Sequence, residues 1–260
     1  MAKIPLDKYY TPTELAKYCI YKTLELFPNP SEIIEPSAGN GSFSLQIPNC
    51  IAYDIEPEHE SIIKQDFLDL NLDYKPGRLI IGNPPFGRSN NLAIQFFKKS
   101  VQISDAISFI LPASQYQNLE NMYEFDLVYS EILPVYEYSG NKLFCCLNIY
   151  KRPDGGFMNP KTGKKFSDVV VHRWDRGRSK SMTKCDFSMC AWGASVGKSS
   201  QPGTYALELH IKINNDSLRD KILDVLNTTD WKSICPSIST PQLPVWRVYN
   251  KLKEQIPELK

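Results

Sequence analysis

The run Ile80-Ile81-Gly82-Asn83-Pro84-Pro85-Phe86-Gly87 is a short apolar strand pattern that ends in an amide, two prolines and an aromatic ring. The prolines cannot extend a ladder of backbone hydrogen bonds and they restrict the backbone torsions, so Asn83 and Phe86 are presented from a stiff segment. Upstream, Glu35-Pro36-Ser37-Ala38-Gly39-Asn40-Gly41 follows another short apolar run. Its two glycines let the backbone turn sharply and approach a ligand closely, while the acid can meet a cation or a hydroxyl. This is not the GxGxxG of a dinucleotide site, and the negative charge of Glu35 disfavours a pyrophosphate and suits an amino or sulfonium group. Nineteen residues after Glu35, the run from Cys50 ends in Asp54-Ile55, with the acid at a spacing suited to a ribose diol. Asp66 precedes Phe67, a carboxylate beside a ring that could read an adenine amino group and cover the base.

Such groups are useful only if strands hold them at one edge. The first 150 residues alternate apolar strand-like runs with helical patterns, which predicts an α/β domain with a mostly parallel sheet covered by helices. The expected strands are Glu32–Glu35, Cys50–Ile55, Arg78–Gly82, Ala106–Leu111, Glu131–Tyr138 and Lys142–Tyr150. Helices are expected over Thr13–Leu26, opened by Thr-Pro-Thr-Glu, and over Asn91–Val101, where Ala93, Phe96, Phe97 and Val101 share a face. Ser139-Gly140-Asn141 is too short for a crossover helix, so the last two strands should form an antiparallel hairpin. The segments Phe109–Pro112 and Pro134–Tyr136 are expected to wall a pocket. After Arg152 the texture turns dense in Gly, Pro and Lys, which places a domain boundary there, with residues 1–152 before it and 153–260 after it. Beyond it, Tyr205–Ile213 alternates like a half-buried strand and Ser217–Leu226 like an amphipathic helix, so a small α+β module is expected.

Composition narrows the classes. The 260 residues carry a net charge of +1 and 42% hydrophobic residues, and no stretch approaches eighteen consecutive apolar residues. The start lacks the basic-then-apolar layout of a signal peptide, so a soluble, cytoplasmic protein with no membrane partner is expected. Seven scattered cysteines without CxxC spacing read as free thiols, and three distant histidines offer little for a zinc site, so no metal is expected. The charge is uneven: Lys151 to Lys184 carries about +7, leaving about −6 on the rest.

Taken in order, these motifs resemble the S-adenosylmethionine-dependent amino-methyltransferases, specifically DNA N6-adenine methyltransferases of the gamma arrangement. Tyr9-Tyr10-Thr11-Pro12 looks like that family's N-terminal cofactor motif, EPSAGNG like its glycine motif, Asp54 like its ribose acid, Asp66-Phe67 like its adenine contact and NPPF like its catalytic motif. The resemblance covers roughly residues 9 to 150. It implies a Rossmann-like seven-stranded methyltransferase sheet and S-adenosyl-L-methionine as cofactor, held by Tyr10, Thr11, Pro12, Glu35, Ser37, Ala38, Gly39, Gly41, Asp54, Ile55, Asp66, Phe67 and Asn83. Catalysis would fall to Asn83, Pro84, Pro85 and Phe86. The Asn83 side-chain oxygen and the Pro84 carbonyl would orient an exocyclic amine whose lone pair is delocalised, and Phe86 would stack on a base extruded from the duplex. Double-stranded DNA, read sequence-specifically, is the implied partner, in an orphan or restriction-modification setting. Beside such a domain, the basic segment fits phosphate contacts and base readout through Lys161, Lys164, Lys165, Arg173, Trp174, Arg176, Arg178 and Lys180, with Phe157 interleaved. The same NPPF suits adenine in RNA; a protein glutamine, which usually goes with NPPY, and a nucleic-acid-binding protein with an inactive cofactor site fit less well.

Overall fold

The computed structural model describes residues 10–134, 136–138, 141–161, 166–179, 184–235 and 240–260. The chain forms two compact units, Met1–Lys161 and Thr162–Lys260. The change of composition after Arg152 therefore precedes the spatial division. Residues 153–161 stay with the first unit because Asn159 donates from its backbone N–H to Glu124 O (2.9 Å) and from Nδ2 to Asp126 Oδ1 (2.8 Å).

In the first unit α1 (Thr13–Leu26) is followed by β1 (Glu32–Glu35), β2 (Ile51–Asp54), β3 (Ile63–Lys64) and β4 (Arg78–Gly82). Next come α2 (Asn91–Ile103), β5 (Ala106–Pro112), β6 (Asp126–Ile132), β7 (Tyr136–Tyr138), β8 (Asn141–Leu143) and β9 (Cys145–Lys151). The seven-stranded sheet has the order β3-β2-β1-β4-β5-β9-β6, and β1 to β5 pair in parallel while β9 runs antiparallel between β5 and β6. This is the expected mostly parallel α/β sheet, with β9 the one strand that runs against the others and β6 at the edge.

Strands β4 and β5 are buried along almost their whole length, which is why they read as apolar runs rather than alternations. Helix α1 starts after Pro12, whose carbonyl accepts from Ala16 N–H at 3.0 Å, and buries Leu15, Ala16, Cys19 and Ile20. Helix α2 buries Ala93, Phe96, Phe97 and Val101 on the opposite layer, with Phe97 edge-on to Tyr150 at 4.8 Å.

The hairpin departs from expectation in one respect. Instead of one strand over Glu131–Tyr138 and another over Lys142–Tyr150, two antiparallel pairs form, β6 with β9 and β7 with β8. Proline at 134 supplies no donor, so the ladder breaks there; between β8 and β9 the Phe144 carbonyl is taken by Ala113 N–H at 2.9 Å. The turn at Ser139 and Gly140 lies outside the described residues.

The second unit contains β10 (Val169–Asp175), β11 (Phe187–Cys190), β12 (Ser199–Ser200), β13 (Leu207–Ile213), α3 (Arg219–Thr228) and α4 (Val245–Gln255). Its antiparallel sheet, β10-β13-β11-β12, packs Val171, Leu209 and Ile211 against Ile222 of α3 and Val248 and Leu252 of α4. The α+β expectation holds, but Arg173 and Trp174 belong to a strand rather than a loop. Val169-Val170-Val171 carries the β-branched alternation that builds it.

Candidate active site

Glu35 ends β1, Asp54 ends β2 and Asn83 follows β4, so three parallel strands deliver them to one edge of the sheet. Between β1 and β4 the strand order reverses direction, the place where such sheets open a crevice. A cavity of about 610 Å³ lies there, lined by Tyr10, Thr11, Glu35, Ser37, Ala38, Gly39, Asp54, Ile55, Asp66, Phe67, Asn83, Pro84, Pro85 and Phe86. Of the residues singled out for cofactor or catalysis, only Pro12 and Gly41 do not line it. Pro12 starts α1, and Gly41 closes the turn behind the wall by donating to Ala38 O at 2.7 Å.

The glycine turn is tied to the next strand. Gly39, at φ +52°, donates its N–H to Asp54 Oδ2 at 2.7 Å, and Glu56 N–H binds Asp54 Oδ1 at 2.8 Å. Both carboxylate oxygens are thereby oriented, each with a lone pair left over. Tyr10 packs its ring 3.4 Å from where a Cβ on Gly39 would stand and hydrogen-bonds Glu58, so this ring lies across the turn.

Glu35 is only 2% exposed, with Oε2 accepting from Ser44 N–H at 2.8 Å. Burial pushes its carboxyl up to about 8, the Asp54 charge adds to this, and the Ser44 hydrogen bonds oppose it. Asp66 accepts from Leu68 N–H at 2.8 Å. Phe67 is a core ring stacked on Phe96, centroids 5.5 Å apart, and is 1% exposed. Ile55, at 43%, offers far more apolar surface.

On the other wall, Asn83 is half-buried and its Nδ2 donates to Thr11 Oγ1 at 3.1 Å, while Ser37 Oγ donates to the Asn83 carbonyl at 3.3 Å. Thr11, read as a cofactor contact, thus holds the amide. Asn83 Oδ1 is shielded from solvent, so presenting it to a substrate requires the side chain to turn.

Gly87 carries the chain from this wall into α2 at φ +65°; a Cβ there would stand 2.9 Å from Leu92 Cβ and 3.3 Å from Leu92 N. Gly87→Ala is therefore expected to cost about 1–3 kcal/mol of stability, read as a lowered midpoint in urea unfolding.

Residues the sequence reading passed over also line the cavity, among them Phe43, Gln65, Arg88, Leu92 and Phe96. Leu92 and Phe96 stand four apart on α2, a signal that equally describes a core face. Gln65 and Arg88 carry no sequence signal. Phe109 to Pro112 do not wall the cavity; Phe109, Ile110 and Leu111 are fully buried in the sheet.

The basic segment is only partly as expected. Trp174 is 7% exposed and stacks on His210, centroids 5.4 Å apart, so its ring is closed to a nucleobase. Its neighbours on that sheet face include Glu208, whose carboxylate accepts from Gly203 and Tyr205 N–H, and this buried polar cluster needs a planar cover. Arg176 is bound to Gly203 O, and Arg178 lies 3.7 Å from Asp175. Lys161 and Arg173 are exposed, and Lys164, Lys165 and Lys180 lie outside the described residues. Phe157 is 86% exposed. It follows the end of β9 that pairs with Ala106, the amino end of β5, and so stands at the opposite end of the sheet from the cavity.

No protein-family profile matches the chain. It is 35% identical over 99 residues to the Type II methyltransferases M.HincII and M.HindII of Haemophilus influenzae. Those matches cover 35% of this chain and 19% and 18% of the relatives, so the match spans less than a fifth of their length. Among solved structures, PH1948 from Pyrococcus horikoshii aligns with a TM-score of 0.47 at 18% identity, covering 58% of this chain and 90% of that one. Among the described residues no helix is long and apolar enough to cross a membrane. Three carboxyl groups and an aromatic-walled amide, gathered at the switch point of a seven-stranded α/β sheet, are the features that any function for this chain has to use.

Proposed function

We propose that this chain transfers a methyl group from S-adenosyl-L-methionine to the N6 amino group of an adenine turned out of double-stranded DNA. The observation that carries the reading is the sharing of one cavity by Asn83-Pro84-Pro85-Phe86 and by Glu35, Asp54 and Asp66. The Type II methyltransferase names of the two relatives support it.

The cavity suits that cofactor. Its carboxyl groups favour an ammonium, a sulfonium and ribose hydroxyls over a phosphate, and Ile55, Leu92 and Phe96 supply apolar surface for a base. Glu35 would take the cationic amino acid end, Asp54 the ribose diol and Asp66 the adenine amino group. When bound, S-adenosylmethionine supplies the electrophilic methyl group. The protein's part is positioning: Phe86 stacks on the incoming base, and Asn83 Oδ1 with the Pro84 carbonyl accept the two amine hydrogens. The prolines stiffen the backbone that carries both acceptors, so orientation stands in for a general base.

Incubation of the protein with labelled cofactor and, in parallel, duplex DNA, structured RNA and a protein extract tests the reading. N6-methyladenine in the DNA hydrolysate is the expected product. Label confined to RNA or to glutamine would reject it.

A further inference from the structure

The charges lining the cavity are segregated. Glu35 and Asp54 end β1 and β2 and Asp66 follows β3, all on one side of the switch point. Arg88, the one cation that lines the cavity among the described residues, follows β4 on the other side, next to the Phe86 wall. Its side chain is exposed.

The backbone that carries it is pinned at both ends. Phe86 O accepts from Leu92 and Ala93 N–H at 3.2 and 3.5 Å, and Gly87 O accepts from Asn90 N–H at 3.3 Å. Gly87 is held at φ +65° with no space for a Cβ. The Arg88 backbone therefore keeps a set place relative to Phe86, and the start of α2 three residues on adds potential of the same sign.

One half of the cavity is thus acidic and the other opens beside a guanidinium. A ligand spanning both should be cationic or hydroxylated at one end and anionic at the other. A glutamine side chain offers no anion; a nucleotide in a strand offers a phosphodiester on each side of its base.

Resting on the reading above, we infer that Arg88 binds a phosphodiester flanking the base seated on Phe86. The substrate half of the cavity is then built for a nucleic-acid strand. The bidentate fit of guanidinium to phosphate oxygens makes arginine suited to this role. The contact adds affinity without sequence preference.

The test is methyl transfer to sheared genomic DNA and to total RNA, substrates that hold every short sequence, at several salt concentrations, with a protein extract as a third substrate. Wild type, Arg88→Gln and Arg88→Lys are compared, and binding of S-adenosylhomocysteine is followed by calorimetry. Arg88→Gln is expected to raise the half-saturating nucleic-acid concentration about tenfold, with kcat within a few-fold of wild type. The dependence of log(kcat/KM) on log salt should flatten by roughly one unit, as for one lost phosphate contact. Arg88→Lys should recover the slope, and S-adenosylhomocysteine affinity should stay unchanged in both variants. The loss is expected in the DNA arm; a loss confined to the RNA arm would keep the Arg88 contact and reject the proposed function. A wild-type salt slope and half-saturation in Arg88→Gln, with wild type still active on nucleic acid, would overturn the Arg88 contact alone. Transfer by wild type to protein only would overturn the contact and the proposed function together.

Discussion

Asn83→Ala is expected to reduce methyl transfer by roughly 10²–10⁴-fold while leaving cofactor affinity within a few-fold. An exocyclic amine is a weak nucleophile, and the protein's contribution is to hold its hydrogens so that the nitrogen lone pair meets the methyl group. Asn83 supplies one acceptor and, through the stiff Pro84-Pro85 pair that follows it, fixes the other. The side chain's hydrogen bond to Thr11 Oγ1 is worth about 1 kcal/mol, so the variant is expected to fold. Single-turnover rates with saturating cofactor are the relevant measurement, with urea unfolding as the control for folding. A rate in Asn83→Ala equal to that of wild type would refute the catalytic assignment, whatever the substrate.

Glu35→Gln should change how cofactor binding and stability depend on pH. This carboxyl faces Asp54 from β2 and the Cys50 thiol before it, accepts from Ser44 N–H, and has Gly82 of β4 packed against its Cγ. Its folded-state value, raised to about 8, lies above the ordinary 4.5, so the protonated form is favoured by folding. The associated stability is complete below about pH 4.5 and is lost as pH rises through about 8, by at most on the order of 5 kcal/mol. Wild type should therefore soften to urea between pH 5 and pH 8 more than Glu35→Gln does. A cationic ligand needs the ionised form, so its binding releases a proton near neutral pH and weakens toward tenfold per unit as pH falls below about 7. Calorimetry of S-adenosylhomocysteine in two buffers of different ionisation enthalpy should detect that proton in wild type and not in Glu35→Gln. Equal proton release by both proteins would remove Glu35 from the cationic subsite.

Local chemistry determined much of this protein from the sequence alone. Strands β1, β2 and β4 are legible because each is a short apolar run cut off by Pro or Gly, and that punctuation also marks where the acid or amide must stand. Glu35, Asp54 and Asn83 were readable as a set for this reason. Tertiary structure decided what depends on partners distant in the chain. Trp174 in isolation looks like a ring offered to a base, but its burial is set by His210 and Glu208 on β13, a strand it meets only when the second sheet forms. Phe67 reads as a base cover until Phe96 of α2 closes over it. Thr11 becomes the anchor of Asn83 only because α1 brings its preceding residues to the end of β4, and Arg88 becomes a cavity cation only because β4 crosses to the far side of β1 from the acids. Strand order assigns such roles, because proximity across a sheet depends on pairing between segments and not on the residues adjacent to each group.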